Sequence, residues 1–246
     1  MKRSILLILI VSPLYLIANP FEKVNGVQSL REQKKSMATP DIPGNLVVDL
    51  GFNLLLDKAP EMDKKFWGSK SVGLTYMIDY SPANTFFSLN VGLGLGLEKY
   101  ALEDDLLLST TTDDELGRVA TIDTLDFNAN KSKIVMNYVE IPFEFRIYTN
   151  QTDREKGMFF ALGASAGYLY QSFTKLKYEL DGVNNKVKNN TEFELNKFRA
   201  RAIIRGGFRG FNFFYKLGLT ELFNSNRGPS GAPAKMYTIG ISFVGF

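Results

Sequence analysis

The sequence predicts an all-β fold, an eight-stranded antiparallel transmembrane β-barrel of the up-and-down meander type. Three observations predict it. Eight segments alternate bulky apolar residues with small or polar ones, and a period of two is the period of a β-strand. The connections between these segments alternate between short and long, as they do in outer-membrane barrels. A segment typical of export precedes them all.

Residues 1–18 are predicted to be a signal peptide. Lys2 and Arg3 precede an apolar run that ends at Ile17, and the small residue Ala18 follows as the cleavage position. An uncleaved anchor is the alternative. The run is shorter than the roughly 20 residues of a membrane-spanning helix, however, and Pro13 interrupts it.

Residues 19–44 are predicted to be a flexible periplasmic lead-in. This stretch is polar, contains three prolines and shows no apolar periodicity. The barrel is therefore predicted to occupy residues 45–246.

The third predicted strand shows the alternation most clearly. Every odd position from Phe87 to Leu97 is bulky and apolar, whereas the even positions from Ser88 to Glu98 are small or polar. The same period predicts strands over residues 45–56, 69–80, 85–98, 133–148, 158–173, 197–209, 211–223 and 235–246.

The lengths of the connections predict the orientation of the barrel. Short connections follow the second, fourth and sixth predicted strands, and the other four connections are longer. In outer-membrane barrels the short turns are periplasmic and the long loops are extracellular. We therefore expect the chain in the cell outer membrane, with both termini periplasmic.

The composition excludes several kinds of chemistry. The chain contains no cysteine and no histidine, which removes disulfides and disfavours the common nucleophile–base pairs and transition-metal sites. Two of the 29 basic residues belong to the predicted signal, which leaves 27 against 26 acidic residues. This balance gives no argument for a nucleic-acid partner. We expect no enzymatic activity and no cofactor.

The inward-facing positions carry charges of both signs. An eight-stranded barrel is just wide enough for side chains to fill, so these charges must pair or remain hydrated. We expect Glu140 and Glu144 to meet Arg201 and Arg205 across the lumen. The candidate charge network is Asp49, Asp79, Glu140, Glu144, Arg146, Arg199, Arg201, Arg205 and Lys216, and further polar inward positions are Asn53, Thr75, Asn90, Glu98 and Arg209.

Two interpretations of the network stay open. A structural plug that fixes the barrel is favoured, because buried charges need partners whether or not anything passes through. A small channel or a ligand-binding barrel that uses the charged lumen is the alternative. A wide diffusion pore does not fit a barrel of this size.

Residues 99–132 form a long connection with eight acidic residues. Such a segment could bind divalent ions or a basic partner, but the spacing of a calcium-binding loop is absent. We predict a solvated loop and no metal site.

One strand carries a family resemblance. Residues 138–145 read Tyr-Val-Glu-Ile-Pro-Phe-Glu-Phe, and Pro142 is unusual inside a strand. The segment resembles the characteristic strand of the PorT-like outer-membrane β-barrel family, and the glycine-rich third strand, the small inward residues of 163–170 and the terminal strand are similar too. The resemblance implies an outer-membrane barrel of Bacteroidetes-type bacteria, and the family's named member serves type IX protein secretion and gliding.

The end of the chain carries a candidate assembly signal. Phe243 and Phe246 are the aromatic residues that we expect the barrel assembly machinery to recognise. Phe246 departs from the usual pattern, because it shares its parity with the inward residues Thr238 and Ser242.

These observations predict a non-enzymatic outer-membrane barrel that serves as a structural or accessory subunit of an envelope machine such as the type IX secretion system. The expected partners are outer-membrane lipid and lipopolysaccharide, the barrel assembly machinery and secretion-system subunits. The small channel or ligand-binding barrel is the second hypothesis. An enzyme that acts through Glu140 and Glu144 is the third.

Overall fold

The computed structural model describes residues 44–62, 65–82, 85–103, 105–127, 129–150, 157–180, 182–208 and 210–245. The predicted signal peptide, the predicted lead-in up to residue 43, Arg209 and Phe246 lie outside the described residues.

The described residues form eleven β-strands. They are β1 (Asn45–Leu56), β2 (Lys70–Tyr80), β3 (Phe87–Leu102), β4 (Leu106–Asp113), β5 (Gly117–Thr124), β6 (Lys131–Tyr148), β7 (Met158–Leu180), β8 (Val183–Asn189), β9 (Phe198–Phe208), β10 (Phe211–Gly218) and β11 (Lys235–Val244). In the described part of the chain, no helix has the length and the apolar character needed to cross a membrane.

Eight of these strands close into a barrel. Each of β1, β2, β3, β6, β7, β9, β10 and β11 pairs antiparallel with the next, and β11 pairs with β1. Closure removes the exposed sheet edges that lipid would leave without hydrogen-bond partners. The predicted fold class, an eight-stranded antiparallel barrel, is confirmed.

The two ends of the barrel differ. The short connections after β2, β6 and β9 lie at the end that also carries the start of β1 and the end of β11. We call this the turn end. The other end, which we call the loop end, carries the four longer connections.

Two elements lie in segments that were predicted to be loops. The strands β4 and β5 pair as a separate hairpin within residues 99–132, so the prediction of a loop there was wrong. Leu108 and Ala120 on this hairpin are buried, which gives it an apolar face. The strand β7 also runs past the predicted end at residue 173, and β8 pairs with its extension.

The seventh predicted strand is shorter than expected. It was predicted over 211–223, but β10 ends at Gly218. After this residue the chain bends inward, where the Leu222 N–H donates to the Ala234 carbonyl at 2.7 Å and Phe223 is buried. The sequence alternation seemed to continue to residue 223 because β10 is followed by apolar residues that pack under the loops.

Pro142 interrupts the hydrogen-bonded ladder between β3 and β6. The register pairs Val91 with Phe143 and resumes with Gly94 opposite Glu140. Since proline has no N–H to donate, the ladder loses its regular partner at this position.

The outer surface of the barrel is apolar, as the alternation predicts. On β6 the outward residues are exposed, with Ile141 at 56% and Phe143 at 46%, whereas the inward residues Glu140 and Glu144 are buried. An exposed band of apolar residues on a closed barrel matches the surface that contacts lipid.

An apolar core fills the loop end. It packs residues of the barrel strands against residues of the connections, and its largest members include Tyr100, Tyr138, Phe193, Phe223, Met62 and Met136. The core therefore covers the lumen from this end.

Replacing Phe193 by Ala should destabilise this core, because the side chain is 1% exposed and its removal leaves a cavity. Phe→Ala changes in cores typically lower the free energy of unfolding by about 3–5 kcal/mol. Denaturant unfolding of the refolded protein in detergent measures this change in the free energy of unfolding. The control is Phe127→Ala, because Phe127 is 40% exposed. Equal stability of the two variants would contradict the proposed core.

Candidate functional site

The lumen contains two layers of charged side chains, and the strand register explains both. Glu140 and Glu144 lie four residues apart on β6, and Arg201 and Arg205 have the same spacing on β9. Four residues keep a side chain on the same face and advance it by about 13 Å along the strand. Each strand therefore supplies one partner to each layer.

The loop-side layer is centred on Glu98 and Glu140. Arg201 donates from Nη2 to Glu140 Oε1 at 2.6 Å and from Nη1 to Glu98 Oε1 at 3.2 Å. Arg199 binds the same carboxylates, with Nε 2.9 Å from Glu140 Oε1 and Nη2 3.1 Å from Glu98 Oε1. Asn53 donates to Glu98 Oε2 at 2.7 Å. Both carboxylates are thus held by two guanidinium groups.

The turn-side layer is centred on Asp49 and Glu144. Arg205 donates to both carboxylate oxygens of Asp49, from Nη1 to Oδ1 at 2.7 Å and from Nη2 to Oδ2 at 3.2 Å. Its Nε donates to Glu144 Oε1 at 3.1 Å. Lys216 donates to Asp49 Oδ2 at 2.7 Å, and Arg146 donates to Glu144 Oε2 at 2.8 Å. Arg205 therefore links the two carboxylates of this layer.

Small residues on β7 make room for these contacts. The strand β7 lies between β6 and β9, so an ion pair between the outer two must pass over its inward face. That face carries Ala161, Gly163, Ser165 and Gly167 at the layers. A Cβ on Gly167 would lie 3.0 Å from Arg199 Cγ, so a larger side chain there would displace the network.

The side chains of the network are almost completely buried. Arg201, Arg205, Asp49 and Glu144 are each at most 3% exposed. A remaining cavity beside Arg199, Arg201 and Tyr138 has a volume of about 20 Å³, which holds about one water molecule. The Arg199 guanidinium carbon lies 3.5 Å from the centre of the Tyr138 ring, where the ring face favours a cation.

The structure brings together most of the sequence-predicted site residues. Eight of the nine form the two layers, and the pairs Glu140–Arg201 and Glu144–Arg205 lie across β7 from each other. Asp79 lies apart, at the turn end of β2. There it accepts hydrogen bonds from the Tyr148 hydroxyl at 3.4 Å and from the Ser81 hydroxyl.

Sequence reasoning left some members out of the network. Glu98 was predicted to face the lumen but was not assigned to the network, although it binds two arginines. Thr238 donates to Asn53 Oδ1 at 2.8 Å, and Ser242 accepts from Arg205. In the sequence, only the inward positions of Thr238 and Ser242 on β11 pointed to this role. Because both side chains are neutral, such positions are equally typical of ordinary packing.

Phe243 lies outside the lumen, on the outward face of β11. Its ring packs against the Phe211 ring with their centres 5.7 Å apart. The other half of the candidate assembly signal, Phe246, lies outside the described residues.

The acidic hairpin uses at least one carboxylate for its own turn. Asp113 accepts the N–H groups of Glu115 and Leu116, both at 2.9 Å. These hydrogen bonds, with Leu116 contributing most, lower the pKa of the Asp113 carboxyl. Within the described ranges, no group of three acidic side chains is arranged to hold a metal ion.

Comparison with known proteins places the chain in a family. The model of the outer membrane protein β-barrel domain matches residues 33–224, which is more than half of the chain. The chain belongs to this family. Its location is accordingly the outer membrane.

One solved structure is similar. It is the crystal structure of Ail, the attachment invasion locus protein of Yersinia pestis, in complex with the heparin analogue sucrose octasulfate. The two sequences are 11% identical, the match covers 82% of this chain and 99% of Ail, and the TM-score is 0.36. No curated protein matches the chain.

Replacing Glu140 by Gln should destabilise this outer-membrane barrel, because Arg199 and Arg201 would lose a carboxylate that they share. Removing one partner of a buried ion pair typically costs about 3–5 kcal/mol. Urea unfolding in lipid vesicles measures the loss. The matched control is Glu192→Gln, since Glu192 is 71% exposed and pairs with the exposed Lys197 at 3.8 Å. A Glu140→Gln protein as stable as the control would refute the structural role of the loop-side layer.

Proposed function

We propose that the chain is a non-conducting, non-enzymatic outer-membrane barrel that serves as a structural or accessory subunit of an envelope machine such as the type IX secretion system. Its loop end faces the cell exterior and both termini face the periplasm. The barrel fixes the position of its surfaces in the membrane, and its partners bind those surfaces.

The observation that carries this proposal is the closure of the lumen. Two layers of ion pairs fill the middle of the barrel, and the apolar core covers the loop end. A permeating ion would have to separate charges that hold each other in a medium of low dielectric constant. This arrangement favours a structural plug over a channel.

The same contacts argue against an enzyme that acts through Glu140 and Glu144. A catalytic acid or base must reach a substrate, and both carboxylates are buried and bound by arginines. The chain has no histidine or cysteine that could replace them. The proposal therefore assigns no reaction to the lumen.

The orientation rests on the lengths of the connections. Long connections are usually extracellular and short turns periplasmic in outer-membrane barrels. Insertion in this orientation requires the barrel assembly machinery, and it brings the outward face into contact with lipid and lipopolysaccharide.

The role in secretion rests on the PorT-like segment of β6, where Pro142 follows Glu140 and Ile141. The matched family model describes outer-membrane barrels in general. The proposed secretion-system role and Bacteroidetes-type source therefore rest on the resemblance of this segment and not on the family match.

Deleting the gene should trap secreted cargo in the periplasm if the barrel serves protein secretion. The measurement compares, by quantitative mass spectrometry, the proteins that the deletion strain and its parent release and retain. Expression of the wild-type chain in the deletion strain should restore release. An unchanged profile of released proteins would sink the secretion role.

The purified barrel should give no stepwise conductance in planar lipid bilayers, because the charged layers and the apolar core block its lumen. A porin of about 16 strands serves as the positive control. Uniform conductance steps from the wild-type protein would favour the alternative, a small channel.

A further inference from the structure

A group of seven lysines covers the outward face of the sheet at the loop end, on three barrel strands and on β8, which pairs with the extension of β7. We call it the lysine patch. Its members lie on the neighbouring strands β3, β6, β7 and β8, and they are Lys99, Lys131, Lys133, Lys175, Lys177, Lys186 and Lys188. No function considered so far requires it.

The strand register places these like charges directly opposite one another. Lys131 pairs with Lys177, and Lys133 pairs with Lys175. On the next strand, Lys175 is opposite Lys188, and Lys177 is opposite Lys186. Side chains in such positions have Cβ atoms about 5 Å apart, and like charges there destabilise a sheet.

The surrounding protein does not neutralise the patch. Among the described residues, none of the seven lysines forms an ion pair with a carboxylate. Glu179 is the outward residue that follows Lys177 on β7, and it lies opposite Asn184. Because these like charges repel one another and have no counter-ion among the described residues, the surface suits an anionic ligand.

The patch lies on the loop-end side of the apolar band. On the outward face of β3, Lys99 directly follows Leu97, the last exposed apolar residue of that strand. On β6, two outward positions separate the last exposed apolar residue from the first lysine. Lys188 lies over the Phe173 ring, with Nζ 4.0 Å from its centre. Lysines at the edge of an apolar band face the lipid head groups.

Two adjoining grooves connect the patch with an apolar surface. One, with a volume of about 420 Å³, is lined by Lys131, Lys177 and Lys186 with the amides of Asn130, Asn184 and Asn185. The other, of about 330 Å³, also includes Asn130 and Lys131 but is mainly apolar and contains Trp67. Trp67 is 75% exposed, and its ring packs edge-on against Phe52 and Phe66.

We propose that the lysine patch binds the phosphate groups of a phosphorylated glycolipid in the leaflet around the loop end, with an acyl chain beside Trp67. Ammonium and amide N–H groups are donors for phosphate oxygens. The choice of leaflet rests on the orientation in the proposed function, whereas the site itself does not.

The position of the patch favours a membrane lipid over a soluble polyanion. The patch begins where the apolar band of β3 ends, and its lysines lie along strands and not at the turns that join them. The apolar groove beside Lys131 would have no occupant if the ligand were a free phosphate or a polysaccharide.

The chain contains a built-in reporter for this site, because Trp67 is its one tryptophan. The test titrates the refolded protein, in micelles of a neutral detergent, with a bis-phosphorylated acylated glucosamine disaccharide while the Trp67 emission is recorded. The dephosphorylated lipid and the soluble phosphorylated disaccharide without acyl chains form the comparison arms. We expect the phosphorylated lipid to bind at least about tenfold more tightly than either.

The test variant carries Lys131→Gln, Lys133→Gln, Lys175→Gln and Lys177→Gln together. It should lose the preference for the phosphorylated lipid. Without lipid it should be at least as stable to heat as the wild type, because like-charge repulsion is relieved. The control variant, Lys70→Gln with Lys235→Gln, removes lysines of β2 and β11 at the same end and should keep the preference.

Two results would overturn the proposal. An unchanged preference in the quadruple variant would show that the lysines do not bind the phosphates. Equal affinity for the soluble disaccharide would show that the ligand is not a lipid. Orientation is tested separately, by labelling Glu115→Cys from outside intact cells, so that a failure of the proposed function is distinguishable from a failure of the site.

Discussion

The pairing of buried charges inside a narrow barrel is the constraint on which the rest of this structure depends. Eight strands enclose a lumen that side chains fill, and a charge placed there must find a partner of opposite sign. Here five cations meet four carboxylates in two layers.

The need to pair these charges also determines which residues fit at some uncharged positions. The carboxylates of β6 and the arginines of β9 meet only because Gly163 and Gly167 on the intervening strand are small. Gly73 opposite Asp49 has the same role, since its Cβ would lie 3.2 Å from the Asp49 Cβ. Glycine weakens a strand, and a packed ion-pair network gives a reason to keep it.

A filled lumen directs attention to the outside of the molecule. Among the described residues, the ion pairs and the apolar core occupy the lumen, and the proposed interactions are therefore those of the outer surface. The two ends of the wall differ in chemistry, because the lysine patch and the aromatic residues around Trp67 lie at the loop end. This asymmetry suits a protein that binds its partners at one of the two membrane interfaces.

The sequence was sufficient for the barrel strands and for the direction of their side chains, because alternation reports both. The first strand was predicted with its observed ends, residues 45–56. The hairpin of β4 and β5 was missed, because its acidic residues outweighed the short runs of Leu and Thr. Which charges meet depends on closure and register, and these depend on contacts between strands far apart in the chain.

A double-mutant cycle on Glu144 and Arg205 tests the central claim most directly. It compares the free energies of unfolding of wild type, Glu144→Gln, Arg205→Met and the double variant in lipid vesicles. If the buried pair holds the barrel, the two changes should be strongly non-additive, with a coupling free energy of about 1–3 kcal/mol. Additive effects, with a coupling below about 0.5 kcal/mol, would contradict the account.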